Sequence, residues 1–93
     1  MTNKYYETIC AIAVFCLLAE IPFKVRPIFD GWQIIFRWAN GADFAIHSGT
    51  YGNKSLLVEG YKFPWDNGDV TTMTQSEACV HINDLYDEYK SEL

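Results

Sequence analysis

The chain has 93 residues, of which 49% are hydrophobic and 16% aromatic, so it holds enough apolar surface for one small core and too much for a disordered segment. Its formal net charge of −5 disfavours direct nucleic-acid binding, because such affinity depends mostly on Lys and Arg neutralising phosphates. We therefore expect residues 1–93 to form a single domain.

The three cysteines do not form the pattern of a disulfide framework, because their number is odd. Cys10 and Cys16 fall six residues apart on one predicted helix, about 240° apart around its axis, and cannot bridge. No CxxC motif or histidine pair has zinc-ligand spacing. The sequence predicts reduced thiols in a cytoplasmic protein, with no metal and no cofactor.

The first predicted element is a helix from Thr2 or Asn3 to Ala19 or Glu20, ended by the approach to Pro22. Its run "ICAIAVFCLLA" is too short to span a bilayer, which needs roughly 20 apolar residues. A signal peptide is the alternative, but Leu17 matches a cleavage site poorly. The apolar character around the whole circumference predicts burial on more than one side.

The next segment, "FKVRPIF", alternates as a strand does, and Pro27 assigns it to a sheet edge. Asp30-Gly31 follows as a two-residue hairpin turn. That turn predicts four apolar pairs on one face, namely Phe29 with Trp32, Pro27 with Ile34, Val25 with Phe36 and Phe23 with Trp38.

The second turn has two alternatives. A two-residue Asn40-Gly41 turn would scatter apolar residues over both faces of the sheet. A three-residue loop, Ala39 to Gly41 with Gly41 in the left-handed conformation, keeps them on one face. We therefore predict the second register, which pairs Phe36 with Phe44, Ile34 with Ile46 and Arg37 with Asp43.

Leu56 to Tyr61 is predicted as a fourth strand and Val70 to Met73 as a short fifth. The last helix begins at a capping box formed by Thr74 and Glu77, and its apolar residues recur at helical spacing. The order of helix, three to five antiparallel strands and helix predicts a two-layer α+β sandwich.

The sheet face away from the helices should meet water or a partner. Its predicted polar residues are Lys24, Arg26, Gln33, Arg37, Asp43 and His47. Glu59 and Tyr61 are also expected to face solvent. An alternative ligand-binding site combines basic residues of this face with the following loop, and its members are Lys24, Arg26, Arg37, His47, Tyr51 and Lys54.

The loop "AIHSGTYGNKS" resembles a phosphate-binding loop, but Asn53 separates Gly52 from Lys54 and a strand follows where that motif needs a helix. We interpret it as a chain reversal in which Gly49 and Gly52 supply special dihedrals. His47 is an acid–base candidate with no nucleophile or carboxylate fixed beside it by sequence. We therefore predict that the protein is not an enzyme.

The last helix presents acidic residues on its outer face, in a C-terminal third that carries −6 while the remainder carries +1. The predicted partner-binding residues are Glu77, Asp84, Asp87, Glu88 and Glu92. A merely solvated surface is one interpretation. In the other, carboxylates at helical spacing imitate a phosphate backbone and steer the protein to a basic partner.

The segments "EIPFKVRPIFDGWQI", "NG" and "AIHSGTYG" together resemble a group of small phage- and prophage-encoded proteins. The matching residues are Ile21, Pro22, Phe23, Gly31, Trp32, Gln33, Asn40, Gly41, His47, Thr50, Tyr51 and Gly52. The resemblance assigns no role to an individual residue. It implies a host-directed accessory protein, such as an inhibitor of a defence nuclease of the anti-CRISPR kind.

The leading hypothesis is therefore a small acidic inhibitor that binds a host protein or nucleoprotein complex in the host cytoplasm, without a membrane. The alternative is a small nucleic-acid or nucleotide-binding module that uses the basic sheet face and the loop from His47 to Ser55.

Overall fold

The computed structural model describes residues 4–50, 53–62 and 71–93. In chain order its helices and strands are α1 (Lys4–Leu18), β1 (Lys24–Ile28), β2 (Gly31–Phe36), β3 (Ala42–Ile46), β4 (Val58–Tyr61), β5 (Thr71–Met73) and α2 (Gln75–Ser91). Two 3-10 turns lie at Arg37–Ala39 and Asn53–Ser55. The five strands form one antiparallel sheet in sequence order. The predicted α+β fold is confirmed.

One apolar core lies between the sheet and the two helices. Strands β2 and β3 place Ile34, Phe36, Phe44 and Ile46 in it, and none of the four has exposed surface. The helices add Ile9, Ile12, Cys16, Ala78 and Ile82. The alternating pattern of the strands therefore assigned the covered face correctly.

Helix α1 is buried on one side only, so the prediction of burial on several sides is wrong. Val14, Leu17 and Leu18 are 52%, 65% and 82% exposed. Among the described residues, α1 packs against the sheet and α2, and no third layer covers its outer side. The helix ends as Glu20 adopts a left-handed backbone, with φ 59°, and Ile21 N–H donates to the Cys16 carbonyl at 2.8 Å.

The first hairpin turns one residue earlier than predicted. Ile28 lies opposite Gly31 and Pro27 opposite Trp32, so Phe29 and Asp30 form the turn. A Cβ on Gly31 would lie 1.8 Å from the Ile46 carbonyl oxygen. Gly31 thus allows β3 to approach closely, instead of supplying a turn dihedral. The register is displaced by two positions, which leaves the faces of the strand residues unchanged because side chains alternate with period two. Phe29, predicted on the covered face, lies in the turn instead and is 83% exposed.

The second hairpin also differs in register. Phe36 lies opposite Ala42 and Ile34 opposite Phe44, so the predicted pair of Phe36 with Phe44 is wrong. The predicted pair of Arg37 with Asp43 is wrong for the same reason. The loop has five residues because Arg37–Ala39 leaves the strand as a 3-10 turn. The prediction of a left-handed Gly41 is confirmed, at φ 77°.

Trp38 explains the longer loop. Its indole Nε1–H donates to the Pro22 carbonyl at 2.7 Å, and its ring contacts Tyr86 and Tyr89 of α2, with centroid distances of 4.9 and 5.4 Å. These contacts hold residue 38 outside the sheet. The predicted strand through Trp38 ends instead at Phe36.

The cysteines are distributed over both helices, and Cys10, Cys16 and Cys79 are free thiols. Burial raises the pKa of Cys16 to about 12 and also raises that of Cys79. Neither is therefore a thiolate at neutral pH. Among the described residues, no helix has both the length and the apolar character required to cross a membrane.

Candidate functional site

Helix α2 turns its acidic residues toward solvent. Asp84, Asp87, Glu88 and Glu92 are all exposed, and Asp84, Glu88 and Glu92 repeat every four residues, about one helical turn. Lys90 forms an ion pair with this surface, with Nζ 3.8 Å from Asp87 Oδ1. We call the set of Glu77, Asp84, Asp87, Glu88 and Glu92 the acidic face.

Glu77 has a structural role that its neighbours on the acidic face lack. Its Oε1 accepts hydrogen bonds from Thr74 N at 3.2 Å and from Thr74 Oγ1 at 2.9 Å, while Thr74 Oγ1 accepts from Glu77 N at 3.2 Å. The predicted capping box is confirmed. These bonds hold the pKa of Glu77 below its ordinary value. Glu77 therefore helps to cap the start of α2, and the other carboxylates of the acidic face lie further along the helix.

An aromatic cleft adjoins the C-terminal half of the acidic face. It lies between the first 3-10 turn and α2, and its volume is about 180 Å³. Its lining residues are Trp38, Ala39, Leu85, Glu88, Tyr89 and Glu92. Two carboxylates beside aromatic rings suit the guanidinium or ammonium group of a partner, which binds both. The sequence prediction missed this cleft because it placed Trp38 in a strand.

The predicted basic residues do not form one cluster. Lys24 and Arg37 border a groove near Pro22 and Trp38. Arg26 is exposed on the same sheet face, but its Nε donates to a buried glutamine of the next strand. His47 lies at the opposite end of that face. Tyr51 lies outside the described residues, as does the side chain of Lys54.

The backbone amides of residues 47–50, in the loop after β3, all donate hydrogen bonds to groups of the protein itself. His47 N donates to Thr50 Oγ1 at 3.2 Å, Ser48 N to Asp30 Oδ1 at 3.0 Å, Gly49 N to His47 Nδ1 at 3.0 Å and Thr50 N to the His47 carbonyl at 3.0 Å. The Ser48 amide holds the pKa of Asp30 below its ordinary value. An anion cradle needs amides that are open to a ligand. Residues 47–50 offer none, which supports the interpretation as a chain reversal.

Gly49 does not have a positive φ, which corrects the expected dihedral role. A Cβ on Gly49 would lie 2.9 Å from His47 Cε1, so the imidazole packs against the loop backbone. Gly52 lies outside the described residues. The loop is closed further by Asn53 Nδ2, which donates to the His47 carbonyl.

A second candidate site lies on the sheet face away from the helices. We call it the polar groove, and its volume is about 260 Å³. It is lined by Ile28, Phe29, Gln33, Asp43, Ala45, His47, Tyr61 and Lys62. The cross-strand pair of Asp43 with Tyr61 and the small residue Ala45 form its floor.

Glu59 organises one end of the polar groove. It is 7% exposed, which corrects the expectation that it faces solvent. It accepts from the Tyr61 hydroxyl, and its Oε2 lies 3.7 Å from His47 Nε2. Burial and the bond to Glu59 raise the pKa of Tyr61 to about 12, so Tyr61 keeps its proton at neutral pH. Since His47 Nδ1 accepts from Gly49, a neutral His47 carries its proton on Nε2, toward Glu59.

Asp43 occupies the centre of the polar groove and is also buried, with 7% exposure. Gln33 links it to Arg26, because Gln33 Oε1 accepts from Arg26 Nε at 2.5 Å while the Gln33 side chain hydrogen-bonds Asp43. Asp43 Oδ1 has no hydrogen-bond partner. Burial raises the pKa of Asp43, and the hydrogen bond from Gln33 opposes that rise. Gln33 and Asp43 thus lie on the predicted face of the sheet, but both are buried and neither faces water.

Comparisons with family models, with curated proteins and with solved structures found no match to this chain. Within residues 4–50, 53–62 and 71–93, no group of three or more His, Cys, Asp and Glu side chains is placed to hold a metal ion.

Proposed function

We propose that the protein is a non-enzymatic accessory protein of a phage or prophage that binds and inhibits a host macromolecule, with a defence nuclease complex as the favoured target. One observation carries the proposal. Asp84, Glu88 and Glu92 stand exposed in a row beside the aromatic cleft.

The mechanism follows from charge and shape together. A row of carboxylates about one turn apart resembles the spaced anions of a nucleic-acid backbone and is attracted to a basic channel. The aromatic cleft then supplies a desolvated anchor for an Arg or Lys of that channel. Occupying the channel would exclude the nucleic acid that the host complex must bind. The protein would act in the host cytoplasm.

The experiment expresses the protein in host strains that carry different defence nuclease systems and measures the plating efficiency of a phage that each system restricts. We expect the protein to restore plating in at least one strain. Asp84→Lys combined with Glu88→Lys should abolish the rescue. The matched control is Glu7→Lys combined with Glu20→Lys, which changes the net charge equally at exposed positions elsewhere. The control should retain the rescue.

Binding kinetics test the same proposal with the complex that the protein inhibits. The reversal at Asp84 and Glu88 should slow association by about tenfold or more and reduce its salt dependence, since steering acts mainly on the on-rate. Alanine at His47, Tyr51 and Lys54 should change binding little. Loss of binding confined to those three substitutions, in folded variants, would instead favour the nucleic-acid or nucleotide-binding module.

A further inference from the structure

The side chains that line the aromatic cleft offer hydrogen-bond acceptors to a ligand. Glu88 and Glu92 are exposed carboxylates, and an ionised carboxylate can only accept. The indole N–H of Trp38 is already donated to the Pro22 carbonyl at 2.7 Å, so Trp38 contributes its ring to the cleft and not its donor. A ligand that suits this lining carries hydrogen-bond donors and a positive charge.

Two aromatic rings form the apolar part of the cleft. The rings of Trp38 and Tyr89 have centroids 5.4 Å apart and planes tilted by 41°. Tyr86 packs against both, edge-on to Trp38 at 4.9 Å and stacked on Tyr89 at 5.9 Å. This packing fixes the orientation of the lining rings before a ligand arrives. A cation is attracted to the face of such a ring, most strongly to that of a tryptophan.

The two carboxylates are spaced for a forked cation. Glu88 and the C-cap residue Glu92 are four residues apart, which brings their Cβ atoms to roughly 5–6 Å on neighbouring turns. A guanidinium has five N–H donors that diverge in one plane, so it can donate to both carboxylates while its face lies on a ring. An ammonium is a compact, strongly hydrated point charge and must lose more water to enter the cleft.

Lys90 shows how this chain holds an ammonium group. Its Nζ lies 5.0 Å from the ring centroid of Tyr86 and 3.8 Å from Asp87 Oδ1, and the Lys90 and Asp87 side chains are 53% and 63% exposed. That point charge uses one ring and one carboxylate at the open surface. The aromatic cleft places two of each around about 180 Å³, a volume for one side chain and below the roughly 300–1,000 Å³ of pockets for whole ligands.

We propose that the aromatic cleft is a binding site for one arginine side chain, whose guanidinium stacks against the rings of Trp38 and Tyr89 and donates to Glu88 and Glu92. The cleft selects arginine over lysine. This selectivity is a property of the cleft, whereas the presence of the arginine on a host complex rests on the proposed function. Arginine is also the residue that nucleic-acid channels favour for binding phosphate, which links the cleft to such a channel.

The experiment titrates the full chain with three blocked pentapeptides, Gly-Ser-Arg-Ser-Gly and its analogues with lysine or citrulline at the centre. Citrulline has the shape of arginine without its charge. The readout is the NMR signal of the Trp38 indole N–H, and Trp32, at the other end of β2, is the internal reference. We expect the arginine peptide to bind at least about fivefold more tightly than the lysine peptide and about tenfold more tightly than the citrulline peptide.

Four variants locate the site. Glu88→Gln and Glu92→Gln should each weaken binding of the arginine peptide about fivefold or more, because each removes a charged acceptor. Glu7→Gln removes an exposed carboxylate near the start of α1 and should change binding less than about twofold, because salt screens distant charges. Tyr89→Phe keeps the ring and should also leave binding unchanged. Because Glu88 and Glu92 are exposed, their variants should remain folded.

Equal binding of the arginine and lysine peptides would overturn the proposal, as would equal binding of the arginine and citrulline peptides. No binding of the arginine peptide, or a shift at Trp32 in place of Trp38, would overturn it too. The titrations need no host complex. Rescue of phage plating without arginine selectivity would leave the proposed function standing, and arginine selectivity without rescue in any strain would refute that function alone.

Discussion

The two faces of the sheet are buried by different means. On β3, the residues Ala42, Phe44 and Ile46 pack against the helices, while Asp43 and Ala45 lie on the other side, yet all five are at most 7% exposed. Within residues 4–50, 53–62 and 71–93, only the first set is covered by a second layer of secondary structure. Burial on the open face therefore needs another explanation.

On the open face, polar side chains bond to one another. Arg26 donates to Gln33, Gln33 bonds to Asp43, and the Tyr61 hydroxyl donates to Glu59. The helix-covered face depends on filled volume, whereas the open face depends on hydrogen bonds between polar side chains and on the protonation of a buried carboxylate. Each face should therefore respond to a different kind of perturbation.

The largest effect is expected on the helix-covered face. Phe44→Ala should lower the free energy of unfolding by about 3–5 kcal/mol, because it leaves a cavity in a close-packed core. Urea unfolding at neutral pH measures the change. Phe29→Ala removes an equally large but exposed side chain and should cost less than about 0.5 kcal/mol. Similar losses for both would contradict the assignment of the core to this face.

The next largest effect is expected at Gly31, where β3 closely approaches the first hairpin. Gly31→Ala should cost about 3 kcal/mol, because the new Cβ would lie 1.8 Å from a backbone oxygen of β3. Gly41→Ala meets open space and should cost only about 1–2 kcal/mol, from its left-handed backbone. Thermal unfolding measures both. A smaller loss at Gly31 than at Gly41 would refute the observed register.

The open face should respond to the loss of one hydrogen bond. Gln33→Leu keeps most of the volume but removes the donor to Asp43, and should cost about 1–3 kcal/mol at pH 7. The control is Gln75→Leu, at an exposed position, which should cost less than about 0.5 kcal/mol. An equal cost for both would show that the open face is not held by its polar network.

The pH dependence sharpens that test. Because burial raises the pKa of Asp43, the folded state binds the proton more tightly than the unfolded state. The ionised carboxylate therefore destabilises the fold at a pH above its folded pKa. This penalty is relieved as the pH falls toward 3.8, the ordinary pKa of Asp. The cost of Gln33→Leu should shrink over this interval. Urea unfolding of the unsubstituted protein and of Gln33→Leu at each pH gives the difference in their free energies of unfolding. The titrations of the other carboxylates are common to both proteins and cancel in this difference. A cost that grows with acidity would contradict the assignment.

The smallest effect is a gain in stability. Phe29→Gly should raise the free energy of unfolding by about 1 kcal/mol, because glycine adopts the left-handed conformation without steric cost. Asn40→Gly, at φ 58°, should change little, since Asn tolerates that conformation. Thermal unfolding compares them. A loss at Phe29 would show that its ring contributes more to folding than its backbone costs.

The candidate sites were only partly predictable. The acidic face and the capping box follow from helical spacing, and His47 drew attention as a lone titratable residue in a loop. Nothing in the sequence indicated that Glu59 and Tyr61 belong to a site, because a polar residue on a predicted outer face is usually solvated. Their burial with Asp43 arises from strand pairing, which brings residues distant in sequence together.

The sequence by itself determined the order of elements and the face on which each strand residue lies, because periods of 3.6 and two are local properties of the backbone. Register was decided by tertiary contacts: the close approach of β3 at Gly31 and the hydrogen bond from Trp38 to Pro22 displaced both hairpins by two positions. A displacement of two preserves the faces, so the hydrophobic pattern cannot detect it. Tertiary structure also determined that Asp43 Oδ1 has no hydrogen-bond partner, because the register sets which side chains lie beside it.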